Sequence, residues 1–279
     1  MSSAPAMSQF FLPPPKIAGG PYVMGVLNVT PDSFSDGGVH EGAAAPHALA
    51  MLEAGADIID IGGESSRPGA LPVEEGEEIA RVVPVIAAIR AATKAVISID
   101  TMKPAVARAA MQAGAAIWND VAALQAAGAL ETAAALQRPV ILMHMQGEPR
   151  TMQNDPRYGD VVGEVIAFLR ARVAAAEAKG VRDIWVDPGI GFGKTLEHNL
   201  ALLNNVGRIG EETGRPVLIG ASRKRFIAAI DERAKDAAKD RVGGSVAAAL
   251  LAAQNGAAMV RVHDVAETAQ ALKVWRALG

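Results

Sequence analysis

Short apolar runs alternate along the chain with longer stretches in which apolar residues recur every three or four positions. The runs are Tyr22–Val29, Ala56–Ile61, Ala95–Asp100, Ala116–Asp120, Val140–His144, Asp183–Asp187, Val217–Gly220 and Ala257–His263. They are nearly continuous and rich in Val and Ile, which predicts strands buried on both faces, as in a parallel sheet covered by helices. Helix-period stretches follow them near Ala43–Ala54, Val73–Ala92, Pro104–Ala113, Ala126–Leu136, Asp160–Lys179, Asn199–Thr213, Arg241–Ala253 and Val265–Leu278. Gly55, Gly114 and Gly256 stand between a helix and the next strand, where a left-handed residue ends a helix. Eight strand–helix pairs fit an α/β fold built as one (β/α)8 TIM barrel better than an open doubly wound sheet. The barrel is expected over residues 21–279, after a loose N-terminal extension over 1–20 that contains Pro13 to Pro15.

Composition narrows this picture. Half of the 279 residues are apolar and a fifth are charged, which excludes wholesale disorder. Six Phe, three Trp and two Tyr are few, so the core must be packed from Ala, Val, Ile and Leu. The absence of cysteine excludes disulfides, thiolate catalysis and Cys-based metal sites. A net charge of −3 argues against a nucleic-acid partner while leaving room for a local basic pocket. The first twenty residues lack the basic start and apolar stretch of a secretory signal. The uncharged window Val242–Val260 is broken by Gln254-Asn255-Gly256, which reads as a helix end and a turn. No membrane span is therefore expected, and a cytoplasmic location is.

The polar residues gather at strand ends: Asn28, Asp60, Asp100, Asn119 and Asp120, His144, Asp187, Ser222 and His263. In a (β/α)8 barrel these ends meet on one face, where the connecting loops build the active site. Asp and Asn also cap helices, which would account for some of these positions. Helix capping does not account for His144, His263, or Arg261 inside the last strand. The first and second βα loops, Thr30–Gly42 and Gly62–Pro72, are long and carry Asp32, Phe34, Asp36, Ser65, Ser66 and Arg67. Such loops are candidate lids. The loop Asp187–Lys194 is glycine-rich but lacks the Walker A spacing. Ser222-Arg-Lys-Arg225 adds three cations after the seventh strand, where barrels often hold phosphate.

Four segments carry a resemblance. Met24-Gly-Val-Leu-Asn-Val-Thr-Pro-Asp-Ser-Phe-Ser-Asp-Gly-Gly38, Asp60-Ile-Gly-Gly-Glu-Ser-Ser-Arg-Pro-Gly69, Asp187-Pro-Gly-Ile-Gly-Phe-Gly-Lys194 and Arg261-Val-His-Asp264 resemble the dihydropteroate synthases of the folate pathway, in family order from about residue 21 to the end. The resemblance implies a Mg²⁺-assisted condensation of 6-hydroxymethyl-7,8-dihydropterin pyrophosphate with 4-aminobenzoate. It implies catalytic roles for Asp100, Lys224, Asp32 and Asp36. The pterin would be bound by Asp100, Asn119, Val121, Met143, Asp187, Phe192, Lys224 and Arg261, with carboxylates accepting from its N–H edge and the guanidinium stacked on its ring. Asn28, Ser66, Arg67, Arg261 and His263 would hold the pyrophosphate, with Asn28 as the metal ligand. Phe34, Pro68, Ser222, Lys224 and Arg225 would hold 4-aminobenzoate, and the start of the helix after Arg225 would face its carboxylate.

Two positions depart from the family pattern. Ser66 replaces a Thr and keeps the hydroxyl; Arg225 replaces a Ser found in some members, which leaves its carboxylate contact open. Two alternatives remain at this stage, a barrel that carries methyltetrahydrofolate to a corrinoid and a non-catalytic pterin binder. The resemblance further implies sulfonamide inhibitors and a homodimer, for which Val246, Leu250, Leu272 and Trp275 offer a candidate face; they could equally face the barrel.

Overall fold

A computed structural model describes residues 12–29, 43–65 and 70–278. Eight strands run parallel: β1 (Tyr22–Asn28), β2 (Ile58–Gly62), β3 (Val96–Asp100), β4 (Ile117–Asp120), β5 (Val140–Met143), β6 (Ile184–Asp187), β7 (Leu218–Ile219) and β8 (Met259–Val262). Their order is β6-β5-β4-β3-β2-β1-β8-β7, and a parallel bridge between Val186 and Val217 brings the two ends together, so the sheet is a (β/α)8 barrel. The helices are α1 (Ala44–Ala54), α2 (Glu75–Ala92), α3 (Pro104–Ala113), α4 (Ala129–Leu136), α5 (Val161–Ala178), α6 (Leu196–Asn204), α7 (Val206–Thr213), α8 (Arg225–Ile230), α9 (Val242–Gln254) and α10 (Val265–Leu278).

The strand period of two places the site. Successive side chains point to opposite faces, so residues i and i+2 share the barrel interior. Met24, Ile58, Ile117, Ile141, Trp185, Leu218 and Met259 fill the interior near the strand starts as one apolar cluster, with Tyr22 edge-on to Trp185 at 6.0 Å between ring centroids. Two residues further on, the same parity gives Asp60, Asn119, Met143, Asp187 and Arg261, and Asp100 follows Ser98 on β3. The interior therefore changes from aliphatic to ionisable within one pleat. The opposite parity (Ile59, Ile61, Ile97, Ile99, Trp118, Leu142, Val186, Val260) packs under the helices. Trp118 is wholly buried and donates its Nε1–H to Thr101 O at 2.8 Å; its truncation to Ala would cost about 3–5 kcal/mol.

Several expectations need correction. Asp120 faces outward, accepting Ala122 N–H (2.7 Å) and Leu124 N–H (2.8 Å), and so shapes a turn rather than the site. The helix expected over Asn199–Thr213 is two helices, because Asn205 leaves the helical conformation (φ −117°, ψ 24°) and turns its side-chain amide onto Ala201 O at 2.8 Å. Thr195 starts α6 earlier than expected, in a capping box with His198. The short α8 was not foreseen. Residues 12–20, expected within a loose extension, are tied to the barrel base: Ile17 is buried, Lys16 N–H donates to Asp57 Oδ1 (2.8 Å), Lys16 Nζ donates to Leu52 O (2.7 Å), and Leu12 packs on the apolar interior cluster. Leu272 is fully buried, and Leu250 and Trp275 pack on the same core, so these three face the barrel; the large apolar side chains exposed on α9 and α10 are Leu251, Val274 and Leu278. No described helix is long and apolar enough to cross a membrane.

Candidate active site

Arg261 organises the polar end of the interior. Its Nε donates to Asp60 Oδ2 at 2.6 Å and its Nη2 to Asp100 Oδ2 at 2.7 Å. Asn119 Nδ2 reaches the same Asp60 oxygen at 3.3 Å, while Asp60 Oδ1 is buried with no hydrogen-bond partner. Burial works against the charge on Arg261, but Asp60 and Asp100 outweigh it and hold the guanidinium pKa above its ordinary range. Two carboxylates share this one cation. Burial pushes the Asp100 pKa up to about 7 against the pull of Arg261, and Asp60 adds to the rise. The pairs immobilise the planar group, and two of the five N–H donors of a guanidinium serve these two bonds.

Opposite, Asp187 ends β6 with its Oδ1 accepting Gly189 N–H at 2.7 Å. Burial raises its pKa to about 6, against Gly189 N–H and the nearby cations Lys224, Arg261 and Lys194, which pull it down. The loop that follows is possible only with glycine at its tight points. Gly189 has φ 70°, and a Cβ there would lie 1.9 Å from His144 O; Gly193 has φ 63°, and its Cβ would lie 2.4 Å from Gln146 O. The loop returns Phe192 to an apolar wall with Val121, Met143 and Met152. Lys224 Nζ sits 3.9 Å from the Phe192 ring centroid, a cation–π contact that aims the ammonium across the slot. A cleft lined by Glu64, Glu78, Asp100, Thr101, Met102 and Val121 opens beside it.

Lys224 is turned inward by its predecessor. Arg223 has φ +59°, a left-handed conformation unusual for a side chain with a Cβ. It is held there by two bonds to the Asp264 carboxylate, one of them from Nε at 3.0 Å, and by its N–H on Ser245 Oγ at 2.9 Å. Arg223 is therefore not the phosphate-facing cation that the sequence pattern implied. Ser222 Oγ accepts His263 N–H at 3.2 Å and lies 3.1 Å from His263 Nδ1, so two expected ligands form one unit. Arg225 is exposed at the start of α8. Asn28 ends β1, with its Oδ1 facing Gly62.

The eight expected pterin residues thus gather on one end of the barrel: Asp100, Asn119, Asp187 and Arg261 on strands, Val121, Met143 and Phe192 on the wall, and Lys224 over it. Asp32, Phe34, Asp36, Ser66, Arg67 and Pro68 lie outside the described residues. The stems of the second loop are described: Lys103 Nζ pairs with Glu64 and with Glu78 Oε2 (2.5 Å), and Val73 N–H donates to Glu64 Oε2 at 3.3 Å. The sequence pointed to no role for Met152, which lies in a loop without periodicity. Nor did it assign Asp60 as the partner of Arg261, although inward parity with Ile58 marks it.

The family of pterin binding enzymes matches residues 24–263. The dihydropteroate synthase of Neisseria meningitidis serogroup B is 50% identical over 268 residues, covering 93% of each chain. The Xanthomonas albilineans dihydropteroate synthase solved with 4-aminobenzoic acid is 52% identical and superposes with a TM-score of 0.87 over 93% of each chain. The Yersinia pestis dihydropteroate synthase in a sulfonamide drug complex is 45% identical, with a TM-score of 0.88 over 93% of this chain and 94% of that one. With the ionisable strand ends, the inward Lys224 and a match that spans the barrel, the chain belongs to the pterin binding enzyme family, among its dihydropteroate synthases.

Proposed function

We propose that this chain condenses 6-hydroxymethyl-7,8-dihydropterin pyrophosphate with 4-aminobenzoate, giving 7,8-dihydropteroate and pyrophosphate. The observation that carries this reading is the set of inward groups Asp187, Asn119, Asp100, Lys224 and Arg261 above an apolar floor. A reduced pterin presents an aminopyrimidinone edge rich in N–H donors, and Asp187 and Asn119 are the acceptors facing it, with Asp100 beside them. Lys224 donates to the carbonyl and ring nitrogen. Arg261, locked by Asp60 and Asp100, offers its flat face to the ring and N–H groups to the diphosphate.

In the reaction the methylene C–O bond breaks and its electron pair leaves with pyrophosphate. The 4-aminobenzoate nitrogen then forms the C–N bond and loses a proton. His263, Ser66 and Arg67 would stabilise the negative charge growing on the leaving group. Phe34 and Pro68 would clasp the aminobenzoate ring, Ser222, Lys224 and Arg225 would face its carboxylate, and Asp32 and Asp36 would act from the first loop. Sulfonamides, which mimic 4-aminobenzoate, are expected to compete for that place.

Among the described residues no group of three or more His, Asp or Glu could enclose a metal. Asn28 supplies a neutral oxygen, which suits Mg²⁺ held otherwise by diphosphate and water. When bound, Mg²⁺ would offset charge on the departing diphosphate. A cytoplasmic homodimer is proposed, and a solution mass measurement tests the dimer. The activity itself is tested with purified protein, Mg²⁺ and both substrates. Formation of dihydropteroate and pyrophosphate is expected, and tight pterin binding without turnover contradicts the reading.

A further inference from the structure

Lys194 is a buried lysine, 3% exposed, that no step above uses. A buried ammonium normally lies against a carboxylate, because desolvating an isolated charge is costly. Here its hydrogen-bond partners are both neutral. Nζ lies 3.0 Å from His144 Nδ1 and donates to Phe192 O at 2.9 Å. The titratable groups around it are His144 at the end of β5, Asp187 on β6 and Lys224 before α8, while Tyr158 on the β5–α5 connection donates its hydroxyl to Gly193 O at 2.9 Å. Burial and the Lys194 charge lower the His144 pKa to about 3, so the imidazole is neutral and Nδ1 is an acceptor. Burial lowers the Lys194 pKa to about 7 and Lys224 adds to the fall, while Asp187 is the nearby negative charge that favours the ammonium, so Lys194 is charged on the acid side of neutrality.

We infer that Lys194 is a positioning residue for the pterin: anchored on His144 and the Phe192 carbonyl, its ammonium braces the Gly189–Gly193 loop and keeps Asp187 an ionised acceptor. Two geometric facts meet in this inference. Phe192, whose carbonyl Lys194 holds, is the ring on which Lys224 rests. The same loop takes its shape from Asp187 Oδ1, from Asn199 Oδ1 accepting Gly191 N–H at 2.6 Å, and from Gln153 donating to Gly191 O. One buried cation thus supports both halves of pterin recognition, the acceptor and the shelf under the donor. The charge has a signed effect. Lys194 is one of the cations that hold down the Asp187 pKa, which burial raises to about 6. Without it, protonation of Asp187 must persist to higher pH.

The inference rests on the proposal that Asp187 receives the pterin, and the experiment separates the two. Affinity for 6-hydroxymethylpterin is measured between pH 5 and 8.5 for the parent, Lys194→Met, Lys194→Gln and Asp187→Asn proteins. Gln retains N–H donors without the charge and covers the case in which Met fails to fold. Both Lys194 variants should lose roughly twofold to fivefold in affinity at pH 6 and recover most of it at pH 8, their acid limb displaced upward by about half to one pH unit. Parent-like affinity overturns the inference. So does a loss of equal size at every pH, which would mark a role in folding alone. If Asp187→Asn also binds like the parent, it is the assignment of the pterin site that fails.

Discussion

Arg261 Nε donates to Asp60 Oδ2 at 2.6 Å, joining the last and second strands of the barrel across 201 positions of sequence. Asp60 is fully buried, and its other oxygen has no partner. The bond fixes the plane of the guanidinium rather than contacting substrate. Asp60→Asn keeps the shape but removes the charge, and kcat/KM should fall roughly tenfold to a hundredfold with the fold retained. Steady-state kinetics with circular dichroism checks this; parent-like kinetics would show that Arg261 needs no such anchor.

Gly189→Ala should be among the most damaging single-methyl changes. Its φ of 70° and the 1.9 Å approach of a Cβ to His144 O leave no local relief. Urea unfolding should show a loss of about 2–4 kcal/mol, and pterin affinity should fall more than tenfold.

Lys103→Met leaves the carboxylates of Glu64 and Glu78 without their shared cation, and Glu78 is only 1% exposed. A cost of roughly 3 kcal/mol is expected, partly reversed by adding Glu78→Gln. Glu64 ties the two stems of the second loop, so the KM for 4-aminobenzoate should rise while pterin affinity holds. Unfolding curves and a two-substrate kinetic analysis read the two effects separately.

Acid affects the ligand-free fold and the pterin complex in opposite directions. Folding raises the Asp187 pKa from 3.8 to about 6, so in that window the folded chain keeps a proton that the unfolded chain has released. This contribution to stability is present at low pH and is lost as pH rises through 6. Pterin affinity needs the ionised acceptor and should increase over the same window. The difference between parent and Asp187→Asn proteins in unfolding midpoint, followed from pH 4 to 7, isolates the first effect. A difference that does not change with pH would contradict it.

The barrel was legible because its strands are continuous aliphatic runs set off by glycine, and the site because strand ends converge in this fold. Asp187, Asn119 and Arg261 could be placed from that rule alone. Their pairings could not, since Arg261 and Asp60 meet only after the ring closes. Arg223 misled for a related reason: nothing in a basic tetrapeptide shows that its second residue is left-handed and paired with Asp264. The break at Asn205 was hidden because apolar periodicity runs through it, and a side-chain bond to Ala201 O decides it. Asp120 shared its residue type with the site residues and differed only in parity.

The most direct test of the account is a calorimetric titration of Asp187→Asn with 6-hydroxymethylpterin at pH 8, where the parent carboxylate is ionised. The account predicts affinity at least about a hundredfold below the parent, in keeping with loss of a buried charged acceptor, and an unfolding midpoint no lower than the parent's. Parent-like affinity in the folded variant would contradict it.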